Sequence, residues 1–243
     1  MNLKKFIDKS VKDIDNLLEK YLVNTAAPAR LIEAMKYSVF AGGKRLRPLL
    51  VLSSAYTFGG KESYKNALPA AAAIEMTHTY SLIHDDLPCM DNDDYRRGKL
   101  TNHKVFGENI AVLAGDALLT HAFAVITKYS PAQYSTLLVK TLADAAGING
   151  MLAGQTLDIL HENQQITDIN KIIEIHKFKT GALITASLKL GAICAELDDK
   201  HLKRLSNFGD KLGLAFQIVD DILDITSTFE KLGKPINSDT EKN

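Results

Sequence analysis

From Pro69 to His84 the chain reads PAAAAIEMTHTYSLIH, apolar or small on almost every side of a helical projection. A helix without a polar face has to be buried, so this stretch predicts a helix through the core, with Pro69 in its first turn. It runs straight into HDDLPCMDNDDYRRG, a dense charged stretch that ends at Gly98. Whatever the chain folds into, its central helix delivers carboxylates to one end.

The rest of the sequence has the same period. Leu3, Ile7, Val11, Ile14, Leu18 and Tyr21 recur every three or four residues, one apolar helical face. A second helix is expected from Pro28, with Leu31, Met35 and Val39, stopping at Gly42–Gly43. A third runs from near Pro48 to Phe58-Gly59-Gly60. Further helical patterns cover roughly 109–129, 132–160 and 168–197, and Leu205, Phe208, Leu212, Phe216, Val219 and Leu223 mark one more. The tail from Ile236 to Asn243 is polar and reads as loop. No period-2 segment with turn signals on both sides stands out. With only 15 glycines, 6 prolines and no Trp in 243 residues, the expectation is an all-α, single-domain bundle.

Composition excludes several functions. Twenty-nine Lys and Arg balance 29 Asp and Glu, which argues against a nucleic-acid binder working through a general positive field. Cys89 and Cys194 alone make no disulfide framework and fit a reducing compartment, the cytoplasm. The N-terminus, MNLKKFIDKS, lacks a signal-peptide apolar stretch. No run of about 18 apolar residues predicts a membrane span.

Two aspartate clusters carry the chemistry. Asp85, Asp86 and Asp91 form the first, with Asp93 and Asp94 beyond; Asp220, Asp221 and Asp224 in DDILD form the second. Asp220 and Asp224 lie about 40° apart on a helix and share a face, with Gln217 on the same stripe. On an ideal helix Asp91 would lie about 240° from Asp85. Those two share a ligand only if the helix breaks, and Pro88 is placed to break it. Adjacent carboxylates at the end of an apolar helix repel and are costly to desolvate. An oxygen-only donor set suits Mg²⁺ or Mn²⁺, which bridge carboxylates to substrate phosphates. An EF-hand fails for want of its Gly and Glu.

Cations cluster as well: Lys44, Arg45 and Arg47 follow two glycines, Arg96–Arg97–Gly98 follows the first acidic cluster, Lys179–Thr180–Gly181 interrupts a helical pattern, and Lys234 follows the second cluster. Arg and Lys beside Gly-rich turns are the usual diphosphate cradle, although no P-loop is present. His78 lies about 20° off the Asp85 face.

Together these motifs resemble the trans-prenyltransferases, the head-to-tail polyprenyl diphosphate synthases, and most closely the bacterial-type farnesyl diphosphate synthases. GGKRLRP at 42–48, HTYSLIHDDLPCMDNDDYRRG at 78–98, GQTLD at 154–158, KT at 179–180, FQIVDDILD at 216–224 and LGK at 232–234 follow the family order. The resemblance implies the isoprenoid synthase fold, about ten or more helices around a deep central cavity, and a homodimer. It implies that Asp85, Asp91 and Asp220 ligate Mg²⁺, three ions to a site, supported by Asp86, Asp221 and Asp224. An allylic diphosphate would be held by Arg96, Lys179, Thr180, Gln217 and Lys234. Isopentenyl diphosphate would be held by Gly43, Lys44, Arg47, His78 and Arg97. Gln155 and Asp158 would support them from behind.

By the same resemblance the product is farnesyl diphosphate (C15), with Tyr80 and Ser81 just upstream of Asp85 controlling chain length. A geranylgeranyl (C20) product is the alternative; a class I terpene cyclase and a non-catalytic synthase subunit are two others. Family members extend past the LGK segment, so residues 1–243 are expected to form a polyprenyl synthase domain without the family's C-terminal helices.

Overall fold

A computed structural model describes residues 2–23, 26–161 and 168–226. The helices among them are α1 (Leu3–Val23), α2 (Ala29–Val39), α3 (Leu46–Asp85), α4 (Asn102–Phe106), α5 (Glu108–Tyr129), α6 (Ala132–Ala146), α7 (Met151–His161), α8 (Ile169–His176), a π-helical turn (Lys177–Gly181), α9 (Ala182–Cys194) and α10 (Asp199–Thr226). The fold is all-α, as the periodicity predicts. The segment 236–243, read as loop, lies outside the described residues.

The central element is α3, which packs on α9 and α5; α10 lies against α9 and the π turn. Ala70, Ala71, Ala72, Ala73 and Ile74 are fully buried, as a helix with no polar face requires. Leu183 and Leu190 of α9 and Leu118 of α5 are fully buried around it, each worth about 1.5–3 kcal/mol of transfer free energy.

The boundaries differ from expectation at four places. The helix pairs on either side of Gly60 join into one kinked rod, bent where Gly60 takes φ 68° and ψ −152°. Pro69 therefore lies inside a helix rather than in its first turn, and is buried. Its missing N–H costs several kcal/mol in isolation, which the burial around it offsets. The 132–160 pattern splits at Gly147–Gly150, where the Gly147 N–H caps α6 on the Ala143 carbonyl at 2.8 Å. The 168–197 pattern contains the π turn. Finally, β1 (Tyr95–Arg96) and β2 (Lys99–Leu100) form a minimal antiparallel hairpin. Its turn residues Arg97 and Gly98 both have positive φ, 54° and 74°, as tight hairpin turns demand. Two-residue strands are too short to leave an alternation signal.

One described helix, α5, is long and apolar enough on average to cross a membrane, although no uninterrupted apolar run exists. In the bundle it is ordinary packing material. Ala111, Ala114, Leu118 and Val125 face the core, and the His121 ring donates to the Tyr21 carbonyl at 3.1 Å.

Candidate active site

α3 ends at Asp85, and the chain then curls back on itself. The Leu87 N–H bonds the His84 carbonyl at 3.1 Å, and Pro88, with no N–H, cannot extend the ladder. The Asp91 N–H returns to the Asp85 carbonyl at 2.8 Å, and Asn92 turns the chain with φ 55°. The break expected at Pro88 is what brings Asp91 over Asp85. Burial pushes the Asp85 carboxyl up to about 6; Lys179 pulls it down and Asp91 pushes it up again. Burial pushes Asp86 up to about 7 against the pull of Arg96, whose Nε donates to Asp86 at 2.6 Å. Arg96 also lies 3.8 Å from Asp93, and Asp94 pairs with Lys104 at 2.6 Å. Cys89 is exposed on this turn and Cys194 is buried, both unpaired.

The hairpin carrying Arg96 and Arg97 is anchored on α2. The Asn102 amide donates to the Ala34 carbonyl and the Ser38 hydroxyl, both at 2.8 Å, and the Tyr37 hydroxyl donates to the Leu100 carbonyl at 2.7 Å. Arg97 in turn donates to the Gly42 carbonyl. Gly43, at φ 129°, lies under its guanidinium: a Cβ there would be 2.6 Å from an Arg97 nitrogen. Arg47 and His78 complete this pocket. Burial lowers the Arg47 guanidinium to about 10, with Glu75 opposing and Arg97 adding, and its Nε is buried without a hydrogen-bond partner. Burial holds the His78 imidazole well below its usual range, helped by Arg47, Arg97, Arg96 and Arg45 in that order. Crowded guanidiniums with a spare donor and a neutral imidazole make a site for an anion. Lys44 stays exposed at its edge.

The second cluster is reached through the π turn. Lys179 donates to Asp158 at 2.5 Å. Burial alone would lower its ammonium, but Asp158, Asp85 and Asp91 hold it above its ordinary value. α7 packs very close to the turn: a Cβ on Gly154 would lie 2.1 Å from the Lys179 nitrogen. Such π insertions often mark functional sites. One residue on, the Thr180 hydroxyl donates to Gln217 at 2.8 Å, and the Gln217 amide donates to Asp221 at 3.2 Å. His176 lies 3.6 Å from the same carboxylate. Lys179 thus faces the first acidic cluster while Thr180 faces the second. Asp220 is exposed on α10, and Gln155 is half-buried on α7. Asp224 falls on α10, but its side chain, like Lys234, lies outside what is described.

Tyr80 is buried one turn before Asp85, its ring edge-on to His84 at 5.7 Å, and burial pushes its phenol up to about 12. The Ser81 hydroxyl is spent on the His78 carbonyl at 2.9 Å. His84 donates to the Val112 carbonyl at 3.0 Å and so ties α3 to α5.

Two participants escaped the sequence reading and a third is placed differently. Glu75 was the one charged residue in an apolar helix, three before His78, which was a usable signal. His176 lies one turn before Thr180. Arg45, grouped with Lys44 and Arg47, turns inward instead and is buried.

Every acidic donor here is a carboxylate oxygen, and the burial and the neighbouring Asp91 charge that raise Asp85 are relieved by a hard dication. Among the described residues no three Asp, Glu, His or Cys side chains converge into a ready metal cage. Mg²⁺ seldom needs one, since it keeps waters and binds through one or two carboxylates plus phosphates. The residues fit such an ion.

Known proteins align closely with this chain. The polyprenyl synthetase family model matches residues 28–243. The farnesyl diphosphate synthase of Geobacillus stearothermophilus is 47% identical over 247 aligned residues, covering 100% of this chain and 82% of the relative. The chloroplastic geranylgeranyl pyrophosphate synthase of Catharanthus roseus is 48% identical, covering 87% of this chain and 60% of its own length. The crystal structure of a geranyltransferase from Helicobacter pylori, complexed with magnesium and isoprenyl diphosphate, superposes with a TM-score of 0.86 at 37% identity, covering 98% of this chain and 82% of that one.

Proposed function

The chain belongs to the polyprenyl synthetase family, and on that premise we propose that it condenses isopentenyl diphosphate with dimethylallyl or geranyl diphosphate to give farnesyl diphosphate. The observation that carries this reading is the Lys179–Thr180 π turn, with one acidic cluster on each side of it. The pocket of Arg47, His78 and Arg97 supplies a second diphosphate site.

Asp85, Asp91 and Asp220 would hold Mg²⁺ or Mn²⁺, three ions to a site, with Asp86, Asp221 and Asp224 in support. When bound, the ions neutralise the leaving diphosphate. Lys179, Thr180, Gln217, Arg96 and Lys234 grip the allylic diphosphate and stabilise its charge as the C–O bond ionises. Arg47, His78, Arg97, Lys44 and the Gly43 turn orient isopentenyl diphosphate so that its double bond attacks the allylic cation. Neutral His78 donates to a phosphate oxygen without adding a proton. The proton lost after C–C bond formation goes to the released diphosphate. Apolar walls keep water from the cation, and Tyr80, one turn below Asp85, bounds the growing chain. Asp158 holds Lys179, and Gln155 lies one turn before Asp158 on α7.

A C20 product is the second reading, favoured by the similarity to the geranylgeranyl synthase of Catharanthus roseus. A terpene cyclase or a non-catalytic subunit has less support, since both acidic clusters and both cationic pockets are present. We further propose that residues 1–243 act as one catalytic domain, in the cytoplasm, as a homodimer. Exposed Leu113 on α5 and Leu137 on α6 offer apolar surface for a second copy.

The test incubates the chain with both diphosphates and Mg²⁺ and identifies the product by chromatography. A C15 product is expected, and Asp85→Ala or Asp220→Ala should each lower turnover by about 10³-fold with the helical circular dichroism intact. Absence of diphosphate release would reject the prenyltransferase reading, and a C20 product would establish the second one.

A further inference from the structure

We propose that Arg45 is a positioning residue that aims the Gly43–Arg47 cradle at the isopentenyl-side diphosphate. This rests on reading Arg47, His78 and Arg97 as that diphosphate's site. Arg45 stands between the Gly42–Gly43 turn and Arg47, at the N-terminus of α3. Unlike its neighbours it points into the protein and is only 5% exposed. Its guanidinium reaches three separate elements: Nε donates to Asp15 on α1 at 2.9 Å, one terminal nitrogen to Glu75 on α3 at 3.0 Å, and the other to the Val39 carbonyl at the end of α2 at 2.8 Å.

The Arg45 backbone is left-handed, φ 50° and ψ 36°. A residue with a side chain stays there only when its surroundings over-determine it, and such residues gather at ligand sites. Here the three anchors supply that constraint. They fix the direction of the chain on both sides. Upstream, the fixed turn offers the Gly42 carbonyl to Arg97 and keeps Gly43, which has no side chain to obstruct it, beneath that guanidinium. Downstream, Arg47 leaves the helix start two residues later with its Nε unpartnered. Glu75 belongs to the same device. It is buried, holds Arg45 directly, and is the strongest carboxylate pull on both Arg47 and Arg97. Its charge opposes the mutual repulsion of Arg47 and Arg97. Arg45 itself touches no substrate in this arrangement.

The experiment measures KM for each substrate separately in the full chain. Arg45→Lys keeps the charge but gathers its donors on one nitrogen, so it cannot span the three separated acceptors, and displacing the cradle should raise the isopentenyl diphosphate KM about tenfold. The allylic KM and kcat should stay within about twofold. Asp15→Asn weakens one half-exposed anchor from a charge-assisted bond to a neutral one while leaving Glu75 and Val39 in place, and should give a roughly threefold rise in the same constant. If Arg45→Lys does not fold, Asp15→Asn decides alone. Arg47→Gln is measured alongside. An isopentenyl KM that moves in Arg47→Gln but stays within twofold in the other two variants overturns the positioning role and spares the pocket. So does a joint rise of both KM values, the mark of general loosening. An unchanged isopentenyl KM in Arg47→Gln rejects the pocket, and this inference with it.

Discussion

Gly43 joins backbone conformation to charge. Its φ of 129° is open to glycine and rarely to other residues, and the Arg97 guanidinium occupies the space a side chain would need. Gly43→Ala should displace Arg97 and raise the isopentenyl diphosphate KM by at least about tenfold, with the allylic KM nearly unchanged; steady-state kinetics with each substrate varied in turn decides it. At this scale much of the site was legible. The spacing of Asp85, Pro88 and Asp91 forecast both the break and its result, because one missing N–H determines where a helix ends. The inward turn of Arg45 was not legible. Lys44, Arg45 and Arg47 are alike as residue types, and a single left-handed backbone angle decides which one faces the core. Glu75 and His176 depend on contacts between helices far apart in sequence, which spacing along one helix cannot reveal.

Among the elements, the π turn does most to shape the site. One extra residue rotates Lys179 and Thr180 toward opposite acidic clusters, while the apolar stripe continues on both sides. That continuity is why 168–197 read as an uninterrupted helix. α7 lies against the turn without a side chain at position 154. Gly154→Ala should cost about 1–3 kcal/mol through overpacking and raise the allylic KM more than the isopentenyl KM. Urea denaturation with the same kinetic comparison tests both halves, and equal changes in the two constants would contradict the assignment. Periodicity found the long helices well, since α1 and α10 each carry an apolar stripe in the sequence and α5 is apolar over most of its length. It misjudged Pro69, because a helix buried on all sides can hold a proline that an isolated helix could not.

For the molecule as a whole, His78 links the site to global stability. Its imidazole is held below the ordinary value near 6.5 in the folded state, so between these two values the unfolded chain binds a proton that the folded chain does not. The stability it contributes is complete above about pH 6.5 and is lost as pH falls, at up to about 1.4 kcal/mol per pH unit. His78→Gln lacks this dependence, and the buried carboxylates cancel between the two proteins. The advantage of wild type over His78→Gln should therefore shrink from pH 7.5 to pH 5.5 in urea unfolding, and a gap independent of pH would contradict it. The central rod has a consequence for biosynthesis. α3 finds its main cover in α9, through the Leu188 carbonyl bonded to Ser54 and the leucines around it, and α9 leaves the ribosome only after α4 through α8. Until then the face of the cylinder that α9 will cover lacks its native wrapping, even with α1, α2 and α5 already made, the kind of surface that holdase chaperones shelter.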